Sequence, residues 1–400
     1  MCASPSLIPA LAAASFAEMP GRDHFSRLPD DLVAGILALL PPRQVARARL
    51  VSQRWHSVTT DHHFLRASFS YGRPILGFFT GVTSDYFPLR LETDEEAAAE
   101  PEAARDRLSP DLSFIPGTGS ADAVRDRVQV RGSCCGLLLL RCGSISYVCN
   151  ALTKKMVPIF QPPALCVNLA FDPSKSRHYK VIALAGEYNV HVYSSETRSW
   201  RMAVHRNHSA GLFVELRSLR GVFWNGSVIW NLGHSLLRFV IEEEYLTNLP
   251  MPSKEKGWIC AYIGESGGHL QMIGYTKREK IAACFDILEM QEGQSEWSIL
   301  YRVDLSQVKE LYPDIEWPTW DTRYRQQKII DYLALSPIYV IRGTGKTGQL
   351  GVLVFSIPGK VMSYNMQDQE ISMVKEIWSP FPSEQFWYNF YAYNCSLFDP

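Results

Sequence analysis

The sequence predicts an α+β organisation by segment, in which a small three-helix domain precedes a large all-β domain. Helical periodicity is clean only between residues 25 and 64. From residue 69 onward, short runs rich in Val, Ile, Tyr, Phe and Trp alternate with turn-forming residues, which is typical of strands. A period of 46 residues runs through this second part. We therefore expect a flexible leader over residues 1–22, a helical domain over 23–66 and a β domain over 67–400.

The first helix is expected just after Pro29, because Asp30 and Asp31 place negative charge where a helix N-terminus favours it. Apolar residues then recur at three- and four-residue spacings until Pro41-Pro42: Leu32, Val33, Ile36, Leu37, Leu39 and Leu40. Two further short helices are predicted over residues 43–50 and 52–59. Three helices of this size cannot bury so many apolar side chains among themselves, so the surplus predicts a partner protein.

Aromatic residues 46 positions apart mark one repeating strand: Tyr147, Tyr193, Phe239 and Phe285. A further copy starts at Tyr364, and the residues expected on the return strands are Val157, Trp200, Leu249, Trp297 and Val374. Such a period fits the four-stranded blade of a β-propeller, which takes about 40–50 residues. We predict a β-propeller of six or seven blades, with a large β-sandwich as the alternative. The C-terminal strand Phe386–Tyr391 is expected to pair in the first or last blade and cover its edge.

The composition limits the classes of partner and compartment. Apolar residues make up 46% of the chain and the net charge is −1, so nothing favours nucleic acid or a membrane as partner. Nine cysteines, scattered through apolar runs, predict reduced thiols and therefore cytoplasm or nucleus. The leader has no Lys or Arg before Arg22, which does not fit a targeting signal. Residues 92–107 and 305–327 interrupt the pattern and are expected to be insertions, the first of them acidic and flexible.

Several local patterns suggest chemistry, but their details favour a structural role. Gly343–Gly348 is not a phosphate-binding loop, because position 340 is Val340 where a glycine is required. Glu242–Glu244 falls at a predicted hairpin turn and gives no support for glycosidase chemistry. The spacing of neighbouring cysteines does not suit zinc, so no metal and no cofactor is expected: Cys134, Cys135, Cys142 and Cys149. A basic stretch predicts a solvated face or an acidic partner protein: Arg43, Arg47, Arg49 and Arg54.

An ordered set of residues in the helical segment resembles the F-box: Leu28-Pro29-Asp30-Asp31-Leu32, Ile36-Leu37, Leu39-Leu40-Pro41, Arg49-Leu50-Val51-Ser52 and Arg54-Trp55. The F-box is the segment by which receptor subunits attach to the Skp adaptor of cullin-RING ubiquitin ligases. The resemblance implies an adaptor-binding face made of Leu28, Pro29, Leu32, Ile36, Leu37, Leu40, Val45, Leu50, Val51 and Trp55.

Residues 125–260 resemble the F-box-associated domain of a large plant family of such receptors, which implies a kelch-like propeller. The motifs that carry this resemblance are Arg131-Gly-Ser-Cys134-Cys-Gly-Leu-Leu138, Tyr147–Asn150 with Val157-Pro158, Phe171-Asp-Pro173 with Tyr179–Val181, and Val192-Tyr193 with Ser199-Trp200.

The resemblance implies a non-catalytic subunit that recognises the substrate of an SCF-type ubiquitin ligase and works with the Skp adaptor, a cullin and a RING subunit. Loops at one end of the ring would bind the target protein, with four tryptophans as candidate anchors: Trp258, Trp317, Trp320 and Trp387. Two other functions stay open. One is a protein-binding scaffold that acts without a ligase. The other is a propeller enzyme acting on glycans, which would need convergent carboxylates or metal ligands on the ring axis.

Overall fold

The computed structural model describes residues 28–70, 75–81, 84–89, 110–115, 128–186, 189–203, 220–232, 235–252, 259–276, 279, 283–293, 296–313, 335–343, 351–377 and 390–400. The chain divides into two compact units, Met1–Phe64 and Leu65–Pro400. Helices fill the described part of the first unit, and strands dominate the second.

Four helices open the described chain: α1 Asp30–Ala38, α2 Pro42–Ala48, α3 Gln53–Thr60 and α4 His62–Ser70. The two prolines separate α1 from α2 as predicted, because Pro42 occupies the first turn of α2, where no N–H donor is needed. Ser52 caps α3, since its side chain accepts a hydrogen bond from the Trp55 N–H at 3.1 Å.

The fourth helix is an addition to the three predicted from the sequence. Asp61 leaves the helical conformation after α3, with φ −63° and ψ 142°. Its carboxylate then accepts the backbone N–H of His63 at 2.8 Å, which favours a new helix start at His62. The boundary between the two compact units falls inside α4, after Phe64.

Helices α1, α2 and α3, residues 28–60, are called the hook below. Its interior contains Val33, Leu37, Val45, Ala48 and Thr59, all buried. Two of the four arginines in the basic stretch serve the hook's own fold. The Arg54 guanidinium forms an ion pair with Asp30 at 2.8 Å and also donates to the Leu28 carbonyl. Arg49 donates to the Thr59 carbonyl at 2.8 Å. Arg54 therefore ties α3 to the start of α1, and Arg49 ties the α2–α3 turn to the end of α3.

The described strands of the second unit form five four-stranded sheets and one three-stranded sheet. Two strands come first, β1 Gly77–Thr80 and β2 Tyr86–Pro88. Blade 1 contains β3 Gln129–Cys134, β4 Leu137–Cys142, β5 Ile145–Asn150 and β6 Lys155–Ile159. Blade 2 contains β7 Cys166–Ala170, β8 Lys180–Leu184, β9 Val190–Ser194 and β10 Ser199–Met202. Blade 3 contains β11 Gly221–Trp224, β12 Ser227–Asn231, β13 Leu236–Val240 and β14 Tyr245–Leu249.

Blade 4 contains β15 Ile259–Ser266, β16 His269–Tyr275, β17 Cys284–Met290 and β18 Ser298–Asp304, and a short helix, α5 Gln307–Leu311, follows it. Blade 5 contains β19 Ser336–Ile341, β20 Val352–Ile357, β21 Lys360–Asn365 and β22 Ile371–Glu376. The last strand, β23 Phe390–Tyr393, joins β1 and β2 to form blade 6 in the order β2-β1-β23. Neighbouring strands within every blade are antiparallel.

Blade 6 closes the ring by pairing the two ends of the β domain. Antiparallel pairing runs from Gly77 opposite Tyr393 to Thr80 opposite Phe390. The prediction that a C-terminal aromatic strand pairs within an end blade is therefore confirmed for the part described, Phe390–Tyr393. Residues 386–389 of the predicted strand lie outside the described residues.

Six clusters of buried apolar side chains hold the ring together, one between each pair of neighbouring blades. Between blades 5 and 6, Phe78 packs with Val354. Between blades 6 and 1, Phe79 packs with Val130 and Leu138. A β-sandwich would have one core between two sheets, so six interfaces in a closed series define a β-propeller of six blades.

The predicted repeat corresponds to a real structural unit. The five marker aromatics all lie on the third strand of a blade: Tyr147 on β5, Tyr193 on β9, Phe239 on β13, Phe285 on β17 and Tyr364 on β21. In four blades, the turn to the fourth strand contains one residue with φ between 53° and 58°: Lys154, Arg198, Glu244 and Gln369. The markers are not at equivalent points of their strands, because Tyr147 lies three residues before the end of β5 and Tyr193 lies one residue before the end of β9. The uniform spacing of 46 therefore conceals small differences in loop length.

Candidate docking surface

The hook exposes more large apolar side chains than its size explains. Five of them are exposed to solvent: Leu32 by 56%, Ile36 by 44%, Leu39 by 74%, Leu50 by 87% and Val51 by 67%. The described part of the much larger second unit exposes seven such side chains, distributed over several blades and α5. We call these five residues the apolar surface of the hook. Large exposed apolar patches mark interaction sites in soluble proteins, and these five residues are the candidates for such a site in the hook.

Three of these residues follow one stripe, two of them within α1 and Leu39 at its C-cap. Leu32, Ile36 and Leu39 are four and three positions apart and so follow the same side of the helix. The alternate stripe, Val33 and Leu37, is buried. The α1 sequence is apolar on both sides, and the hook has room to bury only one of them.

The other two residues lie in the turn between α2 and α3. Hydrogen bonds from the Leu50 N–H to the Arg47 carbonyl at 3.0 Å and from the Val51 N–H to the Ala48 carbonyl at 3.0 Å hold the turn tightly. The exposed side chains are therefore presented on a fixed backbone. Less conformational freedom is then lost when they bind a partner.

The ten residues predicted to contact an adaptor differ in their solvent exposure. The exposed ones are Pro29, Leu32, Ile36, Leu50 and Val51, and the partly exposed ones are Leu28, Leu40 and Trp55. Leu37 and Val45 are buried, with 2% and 1% of their surface exposed, so in this fold they support the hook from inside. Leu39 is absent from the predicted set although it is highly exposed. Its position, seven residues after Leu32 on the same stripe, is the signal that would have included it.

The four tryptophans proposed as target anchors lie outside the described residues: Trp258, Trp317, Trp320 and Trp387. The acidic stretch 92–107 also lies outside them, and the insertion 305–327 is described only as far as residue 313. Of Gly343–Gly348, only Gly343 is described.

The other residues considered for catalysis or metal binding take part in turns, ion pairs and buried contacts of the propeller. Glu242–Glu244 forms the turn between β13 and β14, as predicted, and Glu244 is ion-paired with Arg201. The described cysteines are free thiols, and burial raises the pKa of Cys149 to about 12. Cys134 donates its S–H to the Phe171 carbonyl at 3.3 Å. Within the described ranges, no group of three or more His, Cys, Asp or Glu residues is placed to hold a metal ion.

The strands nearest the ring axis are β3, β7, β11, β15, β19 and β23. Among their described residues, Glu265 is the single carboxylate. It accepts a hydrogen bond from the Gly268 N–H at 2.8 Å, and burial raises its pKa. The paired carboxylates that a glycan-cleaving site would need are therefore not found on this part of the chain. No helix among the described residues is long and apolar enough to cross a membrane.

The Gly-Ser-Cys-Cys-Gly-Leu motif forms the tight turn between β3 and β4. Cys135 and Gly136 are its two central residues, with φ 49° and 82°. A side chain added at Gly136 would lie 2.1 Å from the Ser396 Cβ, so a glycine is required both by the turn and by the C-terminal segment that crosses it.

Asn150, the last residue of the Tyr-Val-Cys-Asn motif, holds the same C-terminal segment. Its side chain is fully buried and donates to the carbonyls of Ser396 at 2.8 Å and Phe398 at 2.7 Å. The Asn150 side-chain oxygen accepts the N–H groups of Leu152 at 2.8 Å and Thr153 at 3.2 Å. All four hydrogen-bonding positions of this amide are occupied. These motifs therefore fasten the end of the described chain to the first blade.

Comparison with known proteins assigns the helical segment to a domain family. Residues 25–67 match the F-box domain family. In domain content, the chain is thus an F-box followed by a six-bladed β-propeller.

Similar proteins have been described in Arabidopsis thaliana. "F-box protein At5g07610" is 28% identical over 373 residues, covering 85% of this chain and 83% of that protein. "F-box/kelch-repeat protein At3g61590" is 28% identical over 207 residues, covering 45% of this chain and 46% of that protein. Among solved structures, a chain of a nidogen/laminin complex aligns with a TM-score of 0.40 at 10% identity, covering 79% of this chain and 96% of that one.

Proposed function

We propose that this protein is the substrate-recognition subunit of an SCF-type cullin-RING ubiquitin ligase. The hook would dock on a Skp-type adaptor, and the propeller would bind the protein to be ubiquitinated. The observation that carries the proposal is the solvent exposure of Leu32, Ile36, Leu50 and Val51 within a segment that matches the F-box domain.

The hydrophobic effect supplies the driving force for this docking. Fully burying an exposed Leu or Val side chain contributes about 1.5–3 kcal/mol before the costs of association. Because α1 and the α2–α3 turn are already ordered, most of this gain is available for binding. Leu37 and Val45 contribute indirectly, by keeping the two exposed elements in place.

The proposed activity needs no reactive group in this chain. A receptor brings the target close to the charged ubiquitin carrier, and tethering raises the effective concentration of the target lysine. The adaptor would link the chain to a cullin and, through it, to a RING subunit. We propose that the protein works in cytoplasm or nucleus, where these partners occur and thiols stay reduced.

Co-purification with a Skp-type adaptor tests the proposal. The Leu50→Asp, Val51→Asp double variant places two charges on the apolar surface of the hook, at positions too exposed to support its interior. The matched control is Ile299→Asp, Met373→Asp, which makes the same change at residues of blades 4 and 5 that are 62% and 52% exposed. We expect wild type and control to bring down the adaptor, and the hook variant to lose it.

Equal recovery of the adaptor by both double variants would contradict the docking surface. Recovery of the cullin in the same purification separates a ligase receptor from a scaffold that acts without one. A chain that retains the adaptor but never carries the cullin would support the scaffold instead.

A further inference from the structure

The sequence contains one pair of adjacent cysteines, Cys134 and Cys135, and the proposed function does not use it. Cys134 ends β3, and Cys135 is the first central residue of the β3–β4 turn. The Cys134 side chain is buried, with 9% of its surface exposed, whereas Cys135 is partly exposed to solvent. The pair therefore combines one thiol inside the propeller with one that a small reagent can reach.

The two thiols lie side by side. Successive side chains of a regular strand point to opposite faces of the sheet, but Cys135 has φ 49° and has left the strand conformation. The Cys134 thiol donates its S–H to the Phe171 carbonyl at 3.3 Å, and the two thiols form a hydrogen bond with each other. This hydrogen bond, together with burial, raises the pKa of Cys135 well above its ordinary value. Cys135 therefore stays a neutral thiol at neutral pH.

A disulfide between these two residues would be strained. Consecutive Cα atoms are about 3.8 Å apart across a trans peptide. Disulfides usually join Cα atoms that are about 4.4–6.8 Å apart, and strain makes a disulfide easier to reduce. In a reducing compartment the pair is therefore expected to remain a dithiol.

The chemistry of a dithiol narrows the class of ligand. Two thiols are too few for a structural zinc ion, which takes four ligands, and no larger metal-binding group is found within the described ranges. Sulfur is a soft ligand, so the bound centre must be soft and must be satisfied by two sulfur atoms. A monosubstituted trivalent arsenical, R–As(OH)2, meets both conditions, because it is thiophilic and carries two exchangeable hydroxyls.

We infer that Cys134 and Cys135 form a dithiol site for monosubstituted trivalent arsenicals. Two As–S bonds form and two As–O bonds break, and each thiol proton leaves with a hydroxyl as water. Arsenic stays trivalent, so the reaction needs no oxidant and no reductant. The first As–S bond forms at Cys135, because this thiol is the more exposed one. The second forms at Cys134, which gives up its hydrogen bond to Phe171.

The turn favours the second As–S bond. Cys135 and Gly136 both have positive φ, and the C-terminal segment crosses directly over Gly136 at Ser396. The two sulfurs are therefore held close together, and the second bond forms within one molecule at a high effective concentration. A monothiol in solution must displace the two sulfurs in separate encounters, so it cannot readily remove an arsenical held by both.

The test uses the full chain with Cys2→Ser as background, because Cys2 lies outside the described residues. The probe is phenylarsine oxide, and native mass spectrometry counts the arsenicals bound to each chain. We expect one arsenical per chain that excess glutathione, a monothiol, leaves in place and that dimercaptopropanol, a dithiol, removes. The dimercaptopropanol concentration that releases half of the arsenical measures relative affinity.

Variants locate the binding. Cys135→Ser and Cys134→Ser each leave one thiol of the pair, so we expect the affinity to fall at least tenfold and glutathione to remove the arsenical. The matched control, Cys142→Ser, Cys284→Ser, changes two cysteines that are also half-buried and should bind within twofold of the background chain. If Cys134→Ser lowers the midpoint of urea unfolding, Cys135→Ser carries the test, because its side chain is the less buried of the two.

Three results would overturn the inference: no arsenical bound to the background chain, glutathione-resistant binding that persists in Cys135→Ser, or loss of binding in the control. The site goes beyond the proposed function and does not depend on the adaptor. Failure of arsenical binding would therefore refute this inference alone, whereas failure to recover the adaptor with wild type would refute only the proposed function.

Discussion

Replacing Asn150 by alanine should loosen the C-terminal segment from blade 1. The substitution removes four hydrogen bonds, two to the carbonyls of Ser396 and Phe398 and two from the turn that follows β5. Ser396 and Phe398 are 1% and 3% exposed, so water cannot readily replace the lost donors. Each buried group left unpaired costs about 1–3 kcal/mol, and the half-exposed turn N–H groups cost less. We expect a total loss of about 3–5 kcal/mol in the free energy of unfolding.

The chain contains a matched control for this substitution. Asn365 occupies the corresponding place in blade 5, at the end of β21, where its side-chain oxygen accepts the Gln367 N–H at 2.9 Å. Among the residues that the structure describes, its amide donates only to the exposed Asp368, at 3.0 Å. Asn365→Ala should therefore cost about 1 kcal/mol. Urea unfolding of the full chain, followed by tryptophan fluorescence, measures both variants. Equal losses for the two substitutions would refute the role assigned to the C-terminal segment.

Three further predictions follow from single contacts. Gly136→Ala should lower the free energy of unfolding by about 2 kcal/mol or more, measured by urea unfolding, because the turn requires positive φ and Ser396 occupies the space. Burial raises the pKa of Glu265 above its usual 4.5, so the folded state binds more protons and wild-type stability should fall as pH rises from 4.5. Glu265→Gln should remove that fall, which unfolding curves at successive pH values would show. Burial raises the pKa of Cys149 and Cys260 to about 12, so iodoacetamide at pH 8 should leave both unmodified until the protein unfolds, as read by mass spectrometry.

The local periodicity of the sequence was sufficient to predict the unit of the fold. Strand-forming aromatics recur because each of the five four-stranded blades places its third strand between the same two neighbours, and the structure puts all five markers on that strand. The exposed stripe of α1 was also predictable, since Leu32 and Ile36 belong to a helix that is apolar on more than one side.

Contacts between distant parts of the chain were not predictable in the same way. Asn150 and Ser396 are 246 positions apart, and nothing in the sequence around either residue indicates that the two are in contact. Blade 6 combines β1 and β2 with the last described strand, so none of the five aromatic markers lies in it, and the sequence left the blade number at six or seven. The start of the fourth helix is marked by one capping contact from Asp61. Helix propensities alone do not place such a boundary.

The same limit applies to a cavity of about 240 Å³ at the junction of blades 1 and 2. Arg177 and Arg198 belong to different connections of blade 2, before β8 and after β9, and the sequence gives no sign that they line one space. Tyr193 was singled out as a repeat marker, and the structure adds that it forms part of this wall. The lining of this cavity therefore arises from the pairing of strands rather than from a contiguous motif.

Hydrogen–deuterium exchange of the full chain, with and without a saturating Skp-type adaptor, tests the central claim most directly. The account predicts slower exchange on adaptor binding in peptides that cover α1 and the α2–α3 turn, including Leu32, Ile36, Leu50 and Val51, and unchanged exchange in blades 1 to 5. Protection confined to the blades, or none in the hook at saturation, would contradict it.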